Sequence, residues 1–168
     1  RPENYHPGWD RRAKMAAEWL PTARRIADIG CGPRLSLRQF VSPNVEYAPA
    51  DIKPWTPEVR LVDLDEGQFP EGRFDAVAIL GVLEYLRRPA RAFIKARKAA
   101  DMLITSYCHP TARGANKFRK RRGWINAYQE DRFRDLLNEA GWKISDKVLF
   151  GQSQGVEQYL YRCVPSAL

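Results

Sequence analysis

The stretch Arg25-Ile26-Ala27-Asp28-Ile29-Gly30-Cys31-Gly32 sets the fold of this 168-residue chain. A short apolar run enters a Gly-x-Gly turn, the pattern of a buried strand that opens into a loop. Glycines let a ligand approach the backbone, and the N–H groups of such a turn form an anion site. Asp51 stands 21 residues after Gly30, at the end of the next apolar run. In doubly wound nucleotide folds an acid at that point accepts hydrogen bonds from a ribose diol. Leu35 occupies the place of the last glycine of a dinucleotide fingerprint, and no Gly-Lys-Ser/Thr ending follows.

Outward from this motif, short apolar runs alternate with helical patterns, as in an α/β fold with a mainly parallel sheet. Helices are expected over Arg11–Leu20, Ala90–Ala100 and Gln129–Ala140, the last closed by Gly141. Strands are expected over Arg25–Ile29, Val45–Ala50, Val59–Val62, Phe74–Leu80 and Met102–Ser106. An antiparallel hairpin, Lys143–Phe150 and Val156–Val164, completes about seven strands. Residues 107–128 show no clear period, and Lys53–Glu58 is short and Pro-rich.

The net charge of +8 is unevenly spread. Residues 76–125 hold twelve basic and two acidic side chains, while residues 51–75 hold three and seven. A uniformly cationic, histone-like protein is therefore excluded. No apolar run approaches the roughly 20 residues of a membrane span. The cysteines Cys31, Cys108 and Cys163 are odd in number and scattered, against a disulfide framework or a zinc site and in keeping with a cytoplasmic location. No metal and no signal peptide are expected. Residues 1–168 form one domain on this reading, and a start at Arg1 rather than Met suits a piece of a longer protein.

An acid two residues before the first glycine suits a ligand with positive charge near the loop, and S-adenosylmethionine carries an ammonium and a sulfonium. The segments RIADIGCG, EYAPADI, VDLDEGQFPEGRFDAVAILGVLEYL, ITSYCHP and GWINAYQEDRFRDLLNEAGW follow one another in this order. Together they resemble the class I S-adenosylmethionine-dependent methyltransferases, in particular the small type 11 kind, from about Arg25 to Leu149. The resemblance implies a Rossmann-like three-layer sandwich with a seven-stranded, mostly parallel sheet and an antiparallel last strand. It implies that Gly30, Cys31 and Gly32 meet the methionine part of the cofactor, with Asp28 supporting the loop. Asp51 would hold the ribose, Ile52 lie against the adenine, and Asp63 and the Leu64 amide read the adenine edge. Leu80 and Gly81 would line the amino group and the transferred methyl. S-adenosyl-L-homocysteine would be the product. Two departures stand out: Pro33-Arg34 replaces a third loop glycine, removing a backbone donor, and Lys53–Glu58 is too short for the usual helix. Arg34 is either a replacement partner for the cofactor carboxylate or a solvated charge.

Methyl transfer asks an enzyme for alignment, and for a base where the acceptor is a hydroxyl. His109, after the fifth strand at the carboxyl edge of the sheet, is the candidate base; a structural loop histidine is the other reading. Tyr85 follows the fourth strand, where it would orient an acceptor, with Glu84 capping or bracing a helix. His6, Tyr5 and Trp9 fold over the cofactor or pack locally. Arg113, Lys117, Arg119, Lys120, Arg121 and Arg122 surround Phe118 and precede Trp124. This segment reads as a lid for an anionic acceptor, an RNA contact, a membrane-surface contact or a solvated loop. The favoured expectation is O-methylation of a small-molecule or glycan acceptor, anionic in character. The alternatives are an RNA methyltransferase and a non-catalytic cofactor-binding or partner domain.

Overall fold

A computed structural model describes residues 6–111 and 115–167. Eleven elements appear: α1 (Pro7–Ala17), β1 (Arg25–Ile29), β2 (Glu46–Asp51), β3 (Arg60–Leu61), β4 (Ala76–Ile79), α2 (Pro89–Ala99), β5 (Leu103–Pro110), α3 (Ala115–Arg121), α4 (Glu130–Glu139), β6 (Trp142–Ser153) and β7 (Val156–Pro165). The seven strands form one sheet in the order β3-β2-β1-β4-β5-β7-β6. β1, β2, β3, β4 and β5 run parallel, and β7 is antiparallel to both β5 and β6. This is the mostly parallel, seven-stranded architecture expected from the sequence, with the last strand reversed.

Side-chain alternation along the strands builds two cores. Ala27, Ile29, Val77, Ile79, Leu103 and Tyr107 face α2 and α4, whose Phe93 and Phe133 are fully buried together with Trp142 of β6. Ile26, Ala76, Ala78, Leu80 and Ile104 face α1, which contributes Ala13 and Ala16. The strand order reverses between β1 and β4, so their connections leave in opposite directions and a crevice opens at their carboxyl ends.

Several boundaries differ from the expected ones for local reasons. α1 starts at Pro7, not Arg11, because Pro suits the first helical position and His6 Nδ1 accepts the Gly8 amide at 3.0 Å. β5 runs on to Pro110 because β7 pairs with it along its whole length, from Leu103↔Cys163 to Pro110↔Val156. The segment without clear period thus contains the end of β5 and the helix α3. After the glycine loop there is only a 3₁₀ turn, Ser36–Gln39. Between β2 and β3 there is no helix, which leaves Ile52 62% exposed. Among the described residues, no helix is long and apolar enough to cross a membrane.

Candidate functional site

The crevice at the carboxyl ends of β1 and β4 holds two adjoining cavities of about 320 and 290 Å³. Gly30, Asp51, Gly81 and Tyr85 belong to the walls of both. Gly30 has φ +78°, and a Cβ there would lie 2.0 Å from Val82 Cγ2, so only glycine fits. Gly32 has φ +65° and open space where a Cβ would be, which is the room a ligand needs beside the loop. The Gly32 amide donates to Asp51 Oδ2 at 3.0 Å, and the Lys53 amide donates to Asp51 Oδ1 at 3.1 Å. Each carboxylate oxygen keeps acceptor capacity toward the cavities it lines.

Asp28, on β1, is buried in the wall of the larger cavity and accepts the Tyr47 hydroxyl. Burial raises its carboxyl to about 6, against the opposing effects of the Tyr47 hydrogen bond and the Arg12 charge. Cys31 also lines this cavity; burial, followed by Asp28 and Asp51, pushes its thiol up and keeps it protonated. Pro33 lines the cavity too, whereas Arg34 reaches Asp10 of α1 at 3.6 Å. Asp10 also accepts the Ser36 hydroxyl at 2.8 Å, so α1 is tied to the glycine loop.

Ile52, Asp63 and Leu64 line the smaller cavity. Asp63 Oδ1 accepts the Asp65 amide at 2.9 Å, closing a turn that sets its carboxylate at the edge of that cavity. At the end of β4, the Gly81 amide donates to Ser106 Oγ at 2.9 Å, and Arg12 Nη2 donates to the Leu80 carbonyl at 3.2 Å. The Arg12 guanidinium lies so close to Gly81 that a Cβ there would be 2.4 Å from Nη1. Beyond it the larger cavity continues past Glu84, Tyr85, Cys108, Phe118, Trp124 and Gln158. His6 and Trp9 stand in the same wall; Tyr5 lies outside the described residues.

The structure places His109, the expected base, away from both cavities. Because β5 continues to Pro110, His109 shares a face with Tyr107, while Cys108 between them turns to the cavity. His109 is 3% exposed, with Nδ1 3.0 Å from the Tyr128 carbonyl and Nε2 2.6 Å from the Tyr161 hydroxyl. The carbonyl needs an N–H, so Nδ1 donates and Nε2 accepts from Tyr161. Burial lowers its pKa, and the neutral ring sits among Tyr107, Phe133 and Tyr161. It lines neither cavity.

The basic segment divides in two. Arg119 turns inward: it donates to the Cys108 carbonyl, to the Asn126 carbonyl at 2.5 Å and to the Tyr107 hydroxyl at 3.2 Å. It also lies over the Trp124 ring at 4.9 Å. Arg119 is therefore the pin that docks α3 on β5. Lys117, Lys120, Arg121 and Arg122 are exposed, and Arg122 stands at the wall of the larger cavity. Phe118 and Trp124 pack edge to face at 5.6 Å and line that wall. Arg113 lies outside the described residues.

Sequence reasoning missed Arg12 and Gln158. Arg12 resembles any helix charge until α1 is laid on the sheet, and Gln158 reaches the cavity only through its register opposite Cys108. Among the described residues, no cluster of three or more His, Cys, Asp or Glu side chains is placed to hold a metal ion.

Residues 3–147 match the family model described as a methyltransferase domain. No curated protein matches the chain. Among solved structures, the chain is similar to magnesium protoporphyrin IX methyltransferase (ChlM) from Synechocystis PCC 6803 with bound SAH. That likeness has a TM-score of 0.71 at 18% identity and covers 95% of this chain and 84% of that one. It is similar to the N-methyltransferase NodS from Bradyrhizobium japonicum WM9, with a TM-score of 0.72, 15% identity and coverage of 99% and 91%. It is also similar to the [4+2]-cyclase SpnF, with a TM-score of 0.70, 13% identity and coverage of 95% and 81%. At these identities the likeness is one of fold.

Proposed function

The chain belongs to the methyltransferase-domain family, of the class I S-adenosylmethionine-dependent kind, and from that membership we propose that it methylates a hydroxyl of a small-molecule or glycan acceptor. One observation carries this reading. Two cavities joined at Gly30, Asp51, Gly81 and Tyr85 place a glycine loop, five carboxylates and an aromatic chamber along one crevice.

The residues present fit the cofactor. The open side of Gly32 leaves room for a ligand at the loop, and the buried Asp28 carboxyl stands ready for a cation. S-adenosylmethionine supplies a methyl group already activated on a sulfonium. Asp51 is oriented by two backbone amides to accept the ribose hydroxyls. Asp63, Leu64 and Ile52 would hold the adenine. Gly30, Cys31, Gly32, Leu80 and Gly81 would flank the methionine part. Charge-assisted hydrogen bonds of the Asp51 kind contribute about 1.5–3 kcal/mol each.

Tyr85, 48% exposed and shared by both cavities, would orient the acceptor where methionine part and acceptor meet. Arg122 at the cavity wall suits an anionic acceptor, since a guanidinium pairs with carboxylate or phosphate in a planar fork. The aromatics that an RNA-binding reading would use for stacking, Phe118 and Trp124, are turned to this wall instead. A cytoplasmic location rests on the three buried free cysteines.

The test is transfer of labelled methyl from S-adenosylmethionine to a panel of phenols, hydroxy acids, acidic sugars and RNA. Labelling of a hydroxylated small molecule or sugar supports the reading. Labelling of RNA alone, or tight cofactor binding with no acceptor labelled, overturns it in favour of an RNA enzyme or a non-catalytic domain.

A further inference from the structure

The acceptor end of the larger cavity holds a buried carboxylate with only one oxygen in use. Glu84 lies in the 3₁₀ turn Leu83–Tyr85 after β4, is 1% exposed, and forms part of the cavity wall. Its Oε1 accepts the Cys108 amide at 3.0 Å, while its Oε2 is buried with no hydrogen-bond partner among the described residues. Buried polar atoms are nearly always paired, so an orphan on a residue of the cavity wall calls for a partner. Arg12 Nε, in the same wall, is a second orphan. Burial lowers the pKa of the Arg12 guanidinium, and the Glu84 charge is the largest effect opposing it.

The surroundings hold Glu84 in place without occupying Oε2. The Ile125 amide donates to the Glu84 carbonyl at 2.9 Å, and Asn126 Nδ2 donates to the Leu83 and Leu86 carbonyls at 2.7 and 2.8 Å. The stretch after α3 thus fixes the turn, and Tyr85, Phe118, Trp124 and Phe150 give the chamber aromatic walls. Cys108, the other protic group beside Glu84, has its thiol pushed up by burial and by Glu84 itself, so it is no base. His109, as described, faces the opposite side of the sheet.

Resting on the methyltransferase reading above, we propose that Glu84 binds and deprotonates the acceptor, and that the acceptor is a phenol-type hydroxyl seated between the aromatic walls. Glu84 Oε2 accepts the hydroxyl hydrogen. In the transfer the acceptor O–H bond breaks and its proton passes to Oε2, converting the carboxylate to a carboxylic acid. The electron pair left on oxygen forms the new O–CH₃ bond, and the S–C pair stays on the sulfur of the donor. Glu84 gives its proton to water once the ether has left.

Binding of 4-hydroxybenzoate, 4-methoxybenzoate and 4-aminobenzoate to the protein saturated with S-adenosylhomocysteine tests this. Wild type is expected to bind 4-hydroxybenzoate roughly tenfold or more tightly than its methyl ether, the effect of one hydrogen bond to a charged acceptor. Glu84→Gln keeps the contact to the Cys108 amide but presents an N–H where Oε2 stood, and brings that ratio to about one. Glu84→Asp, with its carboxylate withdrawn by one methylene, gives an intermediate ratio and serves if Glu84→Gln fails to fold. An unchanged ratio in these variants overturns the proposal, as does a wild type that binds none of the probes or prefers 4-aminobenzoate. S-adenosylhomocysteine affinity separates the two levels: equal affinity in wild type and Glu84→Gln shows an intact fold. No affinity in wild type defeats the methyltransferase reading and this proposal with it.

Discussion

Gly32 and Asp51, at the carboxyl ends of the neighbouring strands β1 and β2, are joined by a 3.0 Å hydrogen bond from the Gly32 amide to Oδ2. The acid proposed to hold the ribose therefore also fixes the loop beside it. Asp51→Ala removes both functions: the melting temperature falls, and cofactor affinity drops by roughly two to four orders of magnitude for two lost charge-assisted hydrogen bonds. Asp51→Asn retains one acceptor oxygen, so it melts above Asp51→Ala while still binding more weakly than wild type. Thermal melts and calorimetry on the two variants check the order.

Asp28 gives stability a pH dependence of unusual sign for a carboxylate. Its folded pKa, about 6, lies above the ordinary 3.8 of an aspartate, so the folded state holds the proton more tightly. The group's contribution is thus full at low pH and is lost as pH rises from about 4 to 6. Relative to Asp28→Asn, wild type should lose about 2–3 kcal/mol across that window. A cationic ligand beside Asp28 favours its ionised form, so cofactor affinity rises from pH 5 to pH 7 in wild type and much less in Asp28→Asn. Denaturant titrations and calorimetry at the two pH values measure both.

His109 carries the opposite slope. Its folded pKa is lowered by burial, so its contribution is full above about 6.5 and is lost as pH falls below that value. His109→Phe leaves the Tyr128 carbonyl and the Tyr161 hydroxyl without their partner, a cost of about 1–3 kcal/mol for each buried group left unpaired. Methyl transfer per folded molecule should remain within a few-fold of wild type. A loss of turnover by several orders of magnitude with the fold intact would restore His109 as a base.

Arg119 is expected to behave as a core residue within a basic segment. Removing it strips α3 of its hydrogen bonds to the Cys108 and Asn126 carbonyls and leaves those acceptors buried. Arg119→Ala should destabilise the protein by about 1–3 kcal/mol for each buried acceptor left without its donor. Arg122→Ala, at an exposed site, should leave the stability within about 0.5 kcal/mol of wild type and weaken only the binding of anionic acceptors.

The sheet, its reversed last strand and the glycine loop were legible in the sequence because each depends on local pattern: apolar runs, glycine placement, and an acid at a strand end. Arg25–Ile29 was placed to the residue. The side of the sheet on which His109 falls was not legible, because it depends on where β5 ends. That end is set by pairing with β7, fifty residues away in the chain. Arg12 and Arg119 were hidden for a related reason. A basic residue in a helical stretch looks solvated until the helix is docked, and only then does one become a cavity wall and the other a buried pin.

The proposed function requires that the crevice at the ends of β1 and β4 takes S-adenosylmethionine. Titration calorimetry of the wild-type protein with S-adenosylmethionine and S-adenosylhomocysteine tests it most directly. One-site binding of both in the micromolar range is expected; absence of heat from either ligand at millimolar concentration shows that the crevice is not a cofactor site.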